Sequence, residues 1–351
     1  MTDSIVLTEA ALRDFTERIL VAAGVPRDRV GKVAAPMVAA NLRGIDSHGV
    51  QLLPHYVDQL EAGDVDPRAE GRVISESGAC LLYDSQYGLG AITSEACCGH
   101  AVRLAGEHGL ALVVAREATH FGAAGFWAQK ISQAGLIGMA LCDASAAIPP
   151  WQAREGRLGT NPISMAVPHP GGRGWLLDMA TSTVSYGRLE KAMLESRQSI
   201  PAGWAMDREG RPTTDLATAL KGFLMPLGGY KGSGLGLMVE ILCGVLSGGA
   251  MSREIRGIRQ HGRHSRVNHA FLAIEVSRFL PPEEFNARME WLIAEVKSAA
   301  PAAGYDEVLV AGDPEWRAEE QRRRNGIPIA AGPWEELVRT AERLRAALPG
   351  C

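Results

Sequence analysis

Apolar residues in the first part of the chain recur at helical spacing. Leu12, Phe15 and Ile19 follow Thr8, a candidate N-cap, and the pattern stops at Gly24. Pro26 opens a second run through Val30, Val33, Met37 and Val38 that ends near Gly44. A third, shorter helix is predicted over "LLPHYVDQLEAG". From Ser75 the texture changes. The short β-rich runs "GLALVVAR", "GLIGMALC", "ISMAVP", "GWLLDMA" and "AFLAIEV" alternate with helical or glycine-rich stretches. Further on, Phe285, Met289, Leu292, Ile293 and Val296 predict a long amphipathic helix, "DEVLVAG" a strand, and "DPEWRAEEQRRRNG" a charged helix. The pattern describes an α/β body with a helical N-terminal part, to which the C-terminal helices return.

Composition narrows the class. The chain has 351 residues, 46% hydrophobic, with a net charge of −4, enough for one large domain or two smaller ones. No long Lys/Arg block is present, so nucleic-acid or membrane-surface binding has no electrostatic support. The start, "MTDSIVLTEAALRDF", lacks the basic and apolar regions of a signal peptide. The most apolar stretch, "GLGLMVEILCGVLSGGAM", is interrupted by Glu240 and glycines and reads as a buried helix and its exit. Six cysteines form no CxxC and no zinc-finger spacing, so no metal site is expected. Cysteines lying mostly in apolar runs suit a reducing compartment, and a cytoplasmic location is expected.

Five stretches carry candidate chemistry. "GIDSHGVQLLPHYV" places Asp46, Ser47 and His48 where a helical pattern stops. A histidine with a free pKa of about 6.5 suits proton transfer, although such a pair can also serve only to satisfy helix-end carbonyls. "EATHFGAAGFWAQ" runs from a strand into His120, then Gly122 and Gly125 before a helix whose N-terminus favours an anion such as a diphosphate. The blander reading is a tight turn with Phe121 in the core. In "RLGTNPISMAVP", Asn161 before Pro162 is expected in extended backbone, with Thr160 and Asn161 offering a hydroxyl and an amide. "LLDMATSTVSYGRLEKA" releases Asp178 from a strand, followed by small hydroxyl residues and Arg188. In "LMPLGGYKGSGLGLMVEIL", glycines surround Lys231 ahead of an apolar helix face of Leu235, Met238, Val239, Leu242 and Leu246. That combination seats a phosphate or carboxylate, or is a flexible turn with a solvated lysine. The usual dinucleotide fingerprint is absent: "GLGAIT" has Thr93 where the third glycine of GxGxxG would stand, and there is no phosphate loop.

Taken in order, "LRGIDSHGV", "HFGAAGF", "LGTNPISMAVP", "LLDMATS", "GWAMDREGRPTTD", "PLGGYKGSGLGLMVEILCGVLSG" and "GYDEVLVAGDPE" resemble the malate/L-lactate dehydrogenase family of NAD(P)-dependent oxidoreductases. This family is unrelated to the Rossmann dehydrogenases and has ureidoglycolate dehydrogenase, diketogulonate reductase and piperideine-2-carboxylate reductase relatives. The resemblance spans about Ala11 to Ile329. It implies an α/β, non-Rossmann fold: a mixed, largely antiparallel sheet domain over 76–312, and a helical domain from 1–75 joined by C-terminal helices within 313–351. It also implies a homodimer with the active site near the interface. The implied reaction moves a hydride between NAD or NADP and the 2-position of a 2-oxo or 2-hydroxy acid. The alternatives are C=N reduction of a cyclic imino acid and, in a different class, a non-catalytic ligand-binding homologue.

Carried over position by position, the resemblance makes His48, assisted by Ser47, the proton donor, with His120 as the alternative. It assigns cofactor contacts to His120, Phe121, Gly122, Asp178, Met179, Ala180, Gly229, Lys231, Val310, Gly312 and Asp313, and substrate contacts to Thr160, Leu52 and Arg188. Departures cluster in the expected pocket. Leu52 stands where SHGVxR has an arginine, Asp143 where asparagine is usual, Gln152 and Ala153 replace two glycines, and Arg188 replaces a lysine. Leucine cannot pair with a carboxylate. Either another cation (Arg43, Arg188 or Lys231) grips the acid, or the substrate is larger and less anionic.

Overall fold

In the computed structural model, which describes residues 4–194 and 196–349, the chain begins with β1 (Ile5–Leu7) and three helices. Helix α1 (Glu9–Ala22) is capped as expected, with Thr8 Oγ1 accepting the Ala11 N–H at 3.2 Å, and it buries Leu12, Phe15 and Ile19. A turn on the Pro26 carbonyl leads into α2 (Val30–Leu42), and α3 (Leu53–Glu61) follows with Pro54 in its first turn. Next come β2 (Arg72–Ser77), β3 (Cys80–Asp84), α4 (Gly90–His108), β4 (Leu110–Ala118), α5 (Ala124–Ser132), β5 (Leu136–Cys142), β6 (Ile163–Ala166) and β7 (Leu176–Met179). Beyond them lie α6 (Tyr186–Leu194), the two-residue strands β8 (Ala205–Met206) and β9 (Pro212–Thr213), α7 (Leu216–Lys221), β10 (Phe223–Leu224) and α8 (Tyr230–Glu240). Helix α8 continues into a π-helical turn, Ile241–Val245, and the chain then forms β11 (Val267–Glu275) and α9 (Pro282–Lys297). It closes with α10 (Asp313–Asn325), β12 (Ile327–Ile329) and α11 (Ala331–Arg343).

The main sheet has the order β2-β3-β4-β11-β5-β6-β7. Only β3 and β4 run parallel; every other neighbouring pair is antiparallel, which is the mixed, largely antiparallel sheet expected. Period-two alternation sends successive residues to opposite faces. Phe271 and Ala273 of β11 and Ala140 of β5 join the main core with α4 and α5, whereas Ala270 and Leu141 join a smaller cluster with Val239 and Cys243 beneath α8. The three short strands form their own sheet, β10-β8-β9, over a core of Ile148, Leu189, Ala205 and Leu216.

The chain ends meet. Strand β1 pairs antiparallel with β12, Ile5 opposite Ile329, and the Phe15 and Trp334 rings lie 5.5 Å apart between α1 and α11. Three expectations need correction. Residues 306–312 form bends and turns rather than a strand: Leu309 is exposed, and beside the edge strand β7 a single bond, Leu176 N–H to the Ala311 carbonyl (3.3 Å), takes the place of a ladder among the described residues. The amphipathic helix is present as α9, yet its Trp291, Leu292 and Val296 are exposed. On α8, Val239 is buried and Leu235 and Leu242 are packed against the sheet, but Met238 and Leu246 face outward.

Phe271 is fully buried at the centre of the sheet. Phe271→Ala is expected to cost about 3–5 kcal/mol through lost burial and the cavity left behind, read as a lower urea midpoint at unchanged slope.

Candidate active site

The turn after α2 is built by three side chains that hold no proton for chemistry. The last carbonyls of α2 are satisfied by the backbone N–H groups of Arg43, Gly44 and Ile45, so Ser47 and His48 are not needed as caps. Asn41 donates to Asp46 Oδ1 at 2.8 Å and accepts the Val50 N–H at 2.8 Å. Gly49 rests on that amide; a Cβ there would lie 2.2 Å from Asn41 Oδ1, so glycine is required. From α10, Arg322 grips both oxygens of Asp46 (2.6 and 3.0 Å) and also donates to the Asn41 carbonyl. Asp46 is therefore an anchor. Fixed by it, Ser47 Oγ and His48 Nδ1 lie 3.0 Å apart.

Strand β4 delivers His120 to the same place. The His48 and His120 rings stack with centroids 5.7 Å apart and planes 24° from parallel, and both are half-buried. Burial lowers the pKa of both. For His120 the value falls to about 3, through burial first and then the neighbouring His48 and His269. Tyr56 of α3, buried, puts its hydroxyl 2.8 Å from His120 Nδ1. Phe121 turns inward, fully buried and stacked on His269 at 4.4 Å, so its side chain belongs to the core.

The turn into α5 is occupied by the chain itself. The Gly122 N–H donates to His120 Nδ1 (3.2 Å) and the Gly125 N–H to Asp178 Oδ2 (2.8 Å). The anion at this helix N-terminus is thus the Asp178 carboxylate, and these two donors do not form the diphosphate seat expected there. Burial pushes Asp178 up to about 6, opposed by the Gly125 bond and Arg43 and reinforced by Glu315. Arg43 is itself engaged: it pairs with Glu319 at 3.3 Å, donates to Gln129 and stacks on Trp316 at 4.8 Å. Pro36, Arg43, Phe126, Leu176, Asp178 and Glu315 line a cleft here. Met179 and Ala180 follow Asp178, half-buried. Val310, Gly312 and Asp313 reach the start of β7 through the Ala311–Leu176 bond, with Asp313 accepting from the Val310 N–H (3.0 Å) and pairing with Lys297 (2.8 Å).

Thr181 links Thr160 to the glycine loop, its carbonyl accepting the Leu227 N–H at 2.9 Å. The Thr160 carbonyl accepts the Thr181 N–H at 2.9 Å. Asn161 is not extended: its φ is +33°, which asparagine tolerates, and its buried amide accepts from Ala144 and donates to the Gly236 carbonyl and Glu240 at 2.9 Å. The glycine loop has internal reasons for its composition. A Cβ on Gly229 would meet the Trp151 ring at 2.7 Å, and one on Gly232 would meet the Leu227 nitrogen at 2.3 Å. Lys231 is exposed in the first turn of α8. Leu52 packs into the main core instead of facing open space. Arg188 is exposed on α6, next to Gly187, which abuts Ser47. Asn41, Tyr56 and Arg322 were not legible as site residues, because only the fold brings them to the histidines.

A profile of the malate/L-lactate dehydrogenase family matches residues 7–338. The chain belongs to this family. It is 37% identical over 341 residues to a malate dehydrogenase of Pyrococcus horikoshii, covering 95% of this chain and 94% of that one. The solved structure of malate dehydrogenase from that organism superposes with a TM-score of 0.90 at 35% identity, covering 99% of this chain and 98% of the other. An L-sulfolactate dehydrogenase of Methanocaldococcus jannaschii is 32% identical over 92% of each chain. The crystal structure of the Δ1-piperideine-2-carboxylate reductase of Pseudomonas syringae superposes with a TM-score of 0.83 at 28% identity, covering 96% of this chain and 100% of that one.

Because Asp178 has a higher pKa folded than the roughly 3.9 of an unfolded aspartate, its protonation favours the fold at low pH. That contribution is lost as pH rises from about 4 through about 6. Urea unfolding of Asp178→Asn and the unmodified protein should show the unmodified protein losing stability relative to the variant between these pH values. A pH-independent difference would contradict the assignment.

Proposed function

We propose that this protein is a nicotinamide-dependent oxidoreductase acting at the 2-position of a 2-oxo or 2-hydroxy acid, with His48 and His120 at the reacting carbon. The observation that carries this reading is the stacked, half-buried histidine pair, 5.7 Å between centroids, beside a cleft at the end of β7. The cleft is too small to enclose a nucleotide, but it sets apolar Pro36, Phe126 and Leu176 beside polar Arg43, Asp178 and Glu315, a mixture suited to contact with one edge of a nicotinamide nucleotide. When bound, that cofactor supplies or accepts the hydride. The chain's own residues do the rest. Asp178, Met179, Ala180 and the Val310–Asp313 segment hold the nucleotide on one side, and Gly229 and Lys231 on the other. Phe121 supports His120 from the core. As charge develops on the substrate oxygen, His48 gives it a proton, and Ser47 holds the imidazole through Nδ1.

Thr160 and Arg188 are proposed to face the substrate. With Leu52 in the core and Arg43 bound to Glu319, neither supplies a cation for a second carboxylate. A second carboxylate would accordingly fall to Arg188 or Lys231, both exposed, and without their grip the favoured substrate is a 2-oxo acid with a less anionic tail. The P. syringae structure supports a second reading, reduction of a cyclic imino acid, because one hydride and one proton serve C=N as they serve C=O. Retention of both histidines speaks against a non-catalytic homologue. The cysteine usage favours the cytoplasm, and among the described residues no helix is long and apolar enough to cross a membrane.

Quenching of tryptophan fluorescence by NADH and by NADPH is the direct test. Saturable binding of one selects the cofactor; binding of neither at millimolar concentration defeats the proposal. In His48→Gln, kcat is expected to fall by about 10²–10⁴-fold with nucleotide affinity retained. Unchanged kcat would remove His48 as proton donor.

We also propose a homodimer formed through the outward row of α8 and its π-helical turn, where Leu237, Met238, Ile241, Val245 and Leu246 are all exposed. Val245→Glu should shift the mass measured by light scattering from dimer to monomer. A dimer that survives would move the interface elsewhere.

A further inference from the structure

We propose that Tyr56 and the backbone N–H of Gly122 lock His120 as a neutral imidazole with its proton on Nε2, so that His120 orients the substrate and proton transfer falls to His48. The inference deepens the oxidoreductase reading and rests on it for the word substrate, but the lock itself is a property of the folded chain.

The Gly122 nitrogen lies 3.2 Å from His120 Nδ1 and can only donate. Nδ1 must therefore keep its lone pair. The Tyr56 hydroxyl stands 2.8 Å from the same nitrogen and 3.1 Å from the His120 carbonyl, so its proton goes to an acceptor of His120 in either orientation. The Tyr56 ring meets the imidazole edge-on, 80° between planes, which fixes the ring as well as the proton. A proton on Nδ1 would face the Gly122 N–H and forfeit that bond, and it would turn the Tyr56 proton from the ring to the more distant carbonyl.

The titratable groups facing His120 are His48 from the turn, His269 from β11 and Tyr56 from α3, with the Cys142 thiol beyond Tyr56. None is a carboxylate that would stabilise an imidazolium. Burial, His48 and His269 all oppose a charge on His120. His48 differs in its partner. Ser47 Oγ, 3.0 Å from His48 Nδ1, can donate to the neutral ring or accept from the protonated one, so this pair tolerates both states. Tyr56 is thus a positioning residue that acts through His120.

The test is imidazole ¹⁵N NMR of the full-length protein, with the His120 signal assigned by its absence in His120→Gln. The expected result is an unprotonated Nδ1 and a protonated Nε2 for His120 between about pH 5 and 8. An imidazolium or an Nδ1–H tautomer there would overturn the inference. In Tyr56→Phe, kcat should fall about tenfold or more with KM changed less than about twofold, and the His120 signals should move toward mixed tautomers or titration. Unaltered kcat together with unaltered His120 signals would also overturn it. If Tyr56→Phe does not fold, the spectrum of the unmodified protein decides alone. If no 2-oxo acid or cyclic imine is turned over with either nucleotide, the functional reading fails while the spectrum still decides the lock.

Discussion

The grip of Arg322 on Asp46 is the constraint from which the geometry of the reacting turn follows. Arg322 sits in the last turn of α10, where a cation is favoured by the helix dipole, and it bridges Asp46 and the Asn41 carbonyl. A short 3₁₀ turn has too few internal bonds to hold a histidine in one orientation. Here the Asn41 amide closes the turn from below and Arg322 closes it from outside, leaving Ser47 and His48 as its outward-directed polar groups. The return of the C-terminal helices is therefore more than packing, because α10 carries a residue without which Asp46 would be left with a single side-chain partner. The β1–β12 pair and the Phe15–Trp334 contact keep that helix layer in register with the N-terminal one.

A second theme is competition between internal partners and ligands for the same donors. Gly122 and Gly125 sit at a strand-to-helix turn that suits an anion, yet one N–H is taken by His120 and the other by Asp178. The Asn161 amide is likewise consumed by Gly236 and Glu240, and Glu240 in turn accepts from the Ser252 N–H. These bonds join the turn at Thr160 to the start of β11's approach and to α8. Buried polar groups of this kind are costly unless partnered, so the partners are part of the fold and not spare capacity for a cofactor.

Legibility in the sequence followed the strength of local signals. Helices α1 and α3 and strands β4, β5 and β11 were readable because burial on one face imposes a period. The two-residue strands β8, β9 and β10 are too short to show any period, and residues 306–312, with β-rich composition, meet the edge strand β7 through one bond instead of a ladder. In the site, Ser47, His48 and His120 were visible as residue types at element ends. Tyr56, Asn41 and Arg322 were not, because a tyrosine on an amphipathic helix and an arginine in a charged one look alike whether or not they reach a histidine turn. The glycine loop carries two signals at once: whatever ligand it meets, Gly229 and Gly232 are also required by the Trp151 ring and the Leu227 backbone.

The departures that the sequence resemblance implies, at Leu52, Asp143 and Arg188, separate by physical consequence. Asp143 replaces an asparagine in a fully buried position, where burial drives its carboxyl toward the neutral form against the Asn268 contacts that favour the anion, with Glu240 adding to the upward push. A neutral carboxyl has nearly the size of an amide, and the bonds to the Asn268 backbone (2.7 Å) and side chain (2.5 Å) keep the strand ends of β5 and β11 together. That change preserves shape, and burial opposes the charge it brings. Arg188 keeps the charge of the lysine it replaces and adds a planar fork. Leu52 alone removes a charge and packs the position into apolar core. Leu52 closes the turn that follows the one Arg322 fixes, and its packing in the main core leaves no room there for a guanidinium.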